Sequence, residues 1–156
     1  MRLPASVLAL LCAGCVAVGP DAQDMQRIDA IVAESVAAAH RTPEERSNAL
    51  ARAQQAFASH GSDANRLRLA ALLAALPPPQ RDDARARALL EPLAAASPRT
   101  PLARFAALLA EHVADRQRAL RAGERREEQL RRQVEVLKSI EREVFEREER
   151  ARARRR

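Results

Sequence analysis

The sequence has no tryptophan and no tyrosine, and its three phenylalanines make up an aromatic content of 2% over 156 residues. Ligand pockets draw on aromatic walls and phosphate loops on clustered glycines, so with four glycines in the chain both kinds of site lack their usual material. Strand-forming residues never alternate over a useful length, which argues against sheets. Lysine occurs once, at Lys138, so the net charge of +6 comes almost wholly from arginine. A GC-rich genome encodes arginine readily, and that explains its abundance without a nucleic-acid partner. The two cysteines are Cys12 and Cys15, and no thiol follows them to form a disulfide or hold a metal. The apolar run over residues 3–18 is shorter than the ~20 residues that span a bilayer, and Pro4 weakens it further.

What is present at the N-terminus is an address. Arg2, the apolar run and Leu11-Cys12-Ala13-Gly14-Cys15 together read as a secretion signal ending in a lipoprotein cleavage box. Small residues at positions 13 and 14 let a membrane-embedded peptidase cut before Cys15, after its thiol has accepted a diacylglyceryl group. The position three before that cysteine is usually leucine; here it is Cys12, with Leu11 one place further back. Cutting before Cys12 would set bulky Leu11 at the cleavage position, so Cys15 is the better lipidation site. A plain secretory signal and an uncleaved anchor are the alternatives. The expected organisation is a signal over residues 1–14, a lipidated tether over 15–24, a helical body over 25–120 and a projecting helix over 121–156. One myristoyl-class chain binds a membrane only marginally, whereas the three acyl chains of a mature lipoprotein, palmitate among them, attach it durably. Val16 in place of an aspartate points to the outer rather than the inner membrane, with the body facing the periplasm.

Alanine and leucine supply most of the 47% hydrophobic content, and helix patterns fill the rest of the chain. Met25, Ile28, Val32, Val36 and Ala39 recur at helical steps and predict a first amphipathic helix. Thr42-Pro43-Glu44-Glu45 is a capping box with a first-turn proline, opening a helix through Leu50, Ala53 and Phe57. Ser62 starts a third, with Leu69, Leu72, Leu73 and Leu76, which Pro77-Pro78-Pro79 must stop. Asp82 and Asp83 suit the first turn of a fourth, with Ala86, Leu89, Leu90 and Leu93; Pro92 should kink or end it. Thr100-Pro101 opens a last helix that meets no further proline and could reach Glu149, on the order of 70 Å. Leu102, Phe105, Leu108, Leu109 and Val113 are expected to pack, and residues 116–128 around Gly123 to be solvated. The predicted fold is therefore all-α: a small irregular bundle of short helices followed by one long, partly coiled-coil C-terminal helix. A repeat array is the alternative, although no signature recurs at a fixed period.

No catalytic constellation follows Cys15. His40, His60 and His112 are scattered without a partner at metal-ligand spacing, and helix capping accounts for the pair Asp82-Asp83 without chemistry. The expectation is a non-enzymatic protein with no cofactor and no metal. Leu130, Val134, Leu137, Ile140 and Val144 return in roughly heptad spacing over about two heptads and form the candidate partner-binding face, with self-association left open. Arg150, Arg152, Arg154, Arg155 and Arg156 form a cationic end suited to lipid headgroups, lipopolysaccharide phosphates or an acidic protein face, or a solvated helix end near the negative pole of the dipole. Nucleic acid as a partner would require the leader to be misread.

Arg66-Leu67-Arg68-Leu69-Ala70-Ala71-Leu72-Leu73-Ala74-Ala75-Leu76-Pro77, followed by Arg81-Asp82-Asp83-Ala84-Arg85 and Ala88-Leu89-Leu90-Glu91-Pro92-Leu93, resembles a segment of proteobacterial lipoproteins of the QseG type. Gln129-Leu130 and Val136-Leu137-Lys138-Ser139-Ile140-Glu141-Arg142 are similar to the coiled region of that group. The resemblance implies an outer-membrane lipoprotein that acts as an accessory or adaptor to an inner-membrane sensor histidine kinase of a two-component system. A structural or assembly scaffold of the cell envelope is the alternative.

Overall fold

The computed structural model describes residues 20–96 and 99–155; the signal, Cys15 and Arg156 lie outside the described residues. It is all-α, with no strand among those residues. The helices are α1 (Pro20–Ala39), α2 (Pro43–Ser59), α3 (Asp63–Ala75), α4 (Asp83–Ala96) and α5 (Pro101–Arg154). Helix α3 is the centre and touches each of the other four. Leu67 and the whole run of residues 69–74 are buried, so the second half of this helix is apolar all round, as a segment enclosed by other helices must be. One side of it joins Ala38, Ala49, Ala53, Ala86 and Val113 around Leu69, Leu72 and Leu73. The other joins Ile28, Ile31, Leu90, Leu93, Leu102 and Ala106 around Leu67 and Ala70. Alanines on the outer helices let their backbones approach closely, and each enclosed leucine contributes about 1.5–3 kcal/mol through the area it hides.

Local signals place the helix ends. The Thr42 hydroxyl accepts the Glu45 N–H at 3.3 Å, and the Glu45 carboxylate accepts the Thr42 N–H at 3.0 Å, completing the capping box. Ser62 caps α3 through the Asn65 N–H. The Asn65 side-chain amide reaches back to the His60 carbonyl at 2.9 Å and so ties the end of α2 to the start of α3. Asp82 accepts the Arg85 N–H at 2.9 Å at the head of α4, and Thr100 caps α5.

Several expectations need correcting. Helix α1 begins at Pro20, with Asp21 in its first turn, so residues 20–24 are helix rather than tether. Its buried face is Ile28, Ile31, Ser35 and Ala38, leaving Met25, Val32 and Val36 exposed. The Ser35 hydroxyl donates to the Ile31 carbonyl at 2.8 Å, and this satisfied polar group completes a stripe that counting apolar residues misses. Pro92 lies inside α4, which runs four residues further to Ala96, with Leu90 and Leu93 on either side of it buried. Leu108 is exposed, facing away from the packed side formed by Leu102, Ala106 and Val113. Helix α5 runs past Glu149 to Arg154, a length of roughly 80 Å at 1.5 Å per residue. Asp83 does more than cap: with Arg116 it locks α4 to α5, and the Arg116 guanidinium also donates to the Ala74 carbonyl at 3.0 Å.

Candidate partner-binding site

The body covers α5 only through its first five turns. Leu102, Ala106 and Val113 are buried, Arg116 and Gln117 are half-buried, and every residue from 123 to 155 is exposed. The result is a bare helical arm on a packed base. Leu130, Val134, Leu137, Ile140 and Val144 all lie on it, with Leu137 64% and Val134 48% exposed. Val136 and Phe145 flank them and are also exposed, two positions that heptad counting passes over.

The same spacing can be traced back to the body, with Leu120 the one large apolar residue on it between Val113 and Leu130 and with Ile140 beside it rather than on it. Alternating steps of four and three from Leu102 pass through Ala106, Leu109, Val113 and Arg116 where the body covers the helix. The same steps then land on Leu120, Gly123, Glu127, Leu130, Val134, Leu137, Glu141 and Val144 on the arm. Such a row drifts about 20° per heptad on a straight helix, so a helix that follows it winds left-handed around the arm. On the body, that place is taken by α4, which runs antiparallel to α5: Asp83 at its head meets Arg116, and Leu90 and Leu93 near its tail meet Leu102 and Ala106.

Much of the polar side of the arm is internally paired. Glu127 with Arg131, Glu128 with Arg132, Glu143 with Arg147, Glu146 with Arg150 and Glu148 with Arg152 repeat one i, i+4 pattern, with the glutamate N-terminal as the helix dipole favours. The cationic end is therefore not uniformly free. Arg150 is 2.7 Å from Glu146 and Arg152 is 3.6 Å from Glu148, whereas Arg154 closes the helix and Arg155 follows it as the C-cap.

His40 and His60, just past the ends of α1 and α2, and His112 on α5 are all exposed. Among the described residues no group of histidine, cysteine, aspartate and glutamate could hold a metal ion, and no helix is long and apolar enough to cross a membrane. No family model matches the chain, and comparison with curated proteins and with solved structures gives no match.

Proposed function

We propose that the protein is a non-enzymatic adaptor of the cell envelope, held to a membrane by lipid on Cys15 and presenting its arm to a membrane-bound sensor histidine kinase. The observation that carries this reading is the arm itself. A helix stabilised along its polar side by its own ion pairs displays Leu130, Val134, Leu137, Ile140 and Val144 to solvent, although nothing in the body requires them there. Exposed apolar rows of this length are seats for a second helix. The resemblance of residues 66–93 and 129–142 to the QseG-type lipoproteins favours a kinase as the owner of that helix.

A scaffold role has an observation of its own. Met25, Val32 and Val36 form a second exposed apolar row, on the body rather than the arm, where another envelope protein could sit.

Crosslinking in cells followed by pulldown separates the two readings. Recovery of a histidine kinase, lost when Leu137→Asp and Ile140→Asp are introduced, supports the adaptor. Recovery of assembly factors alone, unaffected by those changes, overturns it in favour of the scaffold. Fatty-acid labelling of wild type beside Cys15→Ala tests the anchor: label and membrane association should both vanish in the variant.

A further inference from the structure

Between the packed base of α5 and the ion pairs that line the arm lies a stretch that neither supports. Of the polar contacts that tie α5 to the rest of the body, those of Arg116 with Asp83 and the Ala74 carbonyl lie furthest along the helix. Arg118 pairs backwards, with Glu111 and Asp115, and the ladder of the arm starts only at Glu127. Residues 119–126 make no ion pair among the described residues, and the spacing itself accounts for this. None of them has an opposite charge four residues away on either side, whereas Arg121 with Arg125 and Glu124 with Glu128 set like charges one turn apart. Arg121 with Glu124 and Arg125 with Glu128 stand three apart with the arginine first, the order that the helix dipole disfavours. In the middle is Gly123, the weakest helix former after proline. A Cβ placed on it meets nothing within 4 Å, so no close approach of another element calls for a glycine there.

We infer that residues 119–126 are a hinge centred on Gly123, about which the arm swings as a rod on its base. The inference goes beyond the adaptor reading, because it concerns how the arm is aimed and holds whatever meets its apolar row. Packing holds the helix on the near side and the glutamate–arginine ladder holds it on the far side. Hydrogen bonds with the least around them open most readily, and here glycine leaves about two turns of backbone open to water, which bends a helix where it enters the ladder. Opening at this place disturbs no packing, since the buried residues of α5 end at Ala114. A body fixed in place then aims the arm over a range of directions, and the row from Leu130 to Val144 moves as one piece.

The test places pairs of spin labels on the full chain in detergent, with Cys12→Ser and Cys15→Ser so that the labels sit on the only thiols. One pair, Arg104→Cys with Gln133→Cys, spans the hinge and would be about 44 Å apart on a straight helix. The other, Gln129→Cys with Glu149→Cys, lies wholly on the arm, about 30 Å apart. Electron–electron double resonance should give the first pair a broad distribution reaching below the straight-helix distance, and the second a narrow one. Gly123→Ala should narrow the first and leave the second alone. In the unlabelled wild-type chain, amide hydrogen exchange at residues 123–127 should outpace that at 128–140, and Gly123→Ala should slow it about fivefold. A narrow first distribution, a breadth or exchange rate that Gly123→Ala leaves unchanged, or equal breadth in both pairs would overturn the hinge.

Discussion

Helix α5 is one continuous element governed by two kinds of physics. Up to about residue 117 it is held from outside: Leu102, Ala106 and Val113 are buried, and the Asp83–Arg116 pair fixes it to α4. From residue 123 it is held from within, by backbone hydrogen bonds and five i, i+4 glutamate–arginine pairs, with its apolar row unused. Most helices in globular proteins owe their stability to burial of an amphipathic face, and the body obeys that rule. The arm departs from it. Under the proposed reading, a helix that stands without tertiary support is already ordered when a second helix docks, which leaves less conformational entropy to be lost. Body and arm therefore differ in kind: one is held by packing, the other by its own backbone and ion pairs.

The sharpest way to break that division is to make the same chemical change on each side. Leu72, fully enclosed in α3, should cost about 2–5 kcal/mol when changed to alanine, because the cavity adds to the lost apolar area. Leu137→Ala, on the bare row, should stay within about 0.5 kcal/mol. Thermal melts followed by circular dichroism check both. Comparable losses at the two sites would mean that the arm is packed rather than free.

The two regions also differed in how much of them could be read beforehand. Fold class and helix starts were legible because Thr42-Pro43-Glu44-Glu45, Ser62 and Thr100-Pro101 act locally: a side chain caps the backbone three residues on whatever the rest of the chain does. The buried face of α1 was not, because Ser35 serves as a core position only through its bond to the Ile31 carbonyl and its neighbours in space. Leu108 escapes the sequence pattern for the same reason, since packing by other helices decides which of the apolar residues of α5 are covered. On the arm the five apolar residues were legible, yet the row's extension back to Leu102 was hidden. Its middle positions, Arg116, Gly123 and Glu127, look like an interruption until Asp83 is seen opposite the first of them.

An intermediate effect lies at the edge of the body. Thr42→Ala removes the cap of α2 and should cost about 1 kcal/mol. Glu45, exposed beside it, has its carboxyl held below the ordinary carboxylate range, first by the Thr42 backbone N–H and then by the Thr42 hydroxyl. A depressed folded-state value means that its contribution is complete above the unfolded pKa and lost as pH falls through the folded one. In wild type this adds a small loss of stability on acidification. Glu45→Gln should remove that part of the acid limb in pH-dependent melts, and an unchanged limb would show that the capping box is not formed in solution.

The smallest expected effect is the one that defines the arm. An exposed i, i+4 pair is worth about 0.3–0.5 kcal/mol, so Glu146→Gln, which frees Arg150, should barely move the melting temperature. It should instead loosen helix locally. Hydrogen exchange followed by mass spectrometry should show faster exchange in the last turns of α5 and none elsewhere, and 1 M salt should reproduce that pattern in wild type by screening the ladder. The body, whose helices depend on buried leucine and alanine, should be indifferent to both treatments. If Glu146→Gln or salt left exchange at the arm's end unchanged, the ladder would not be what keeps the arm helical, and the order attributed to it would have to come from contact with another molecule.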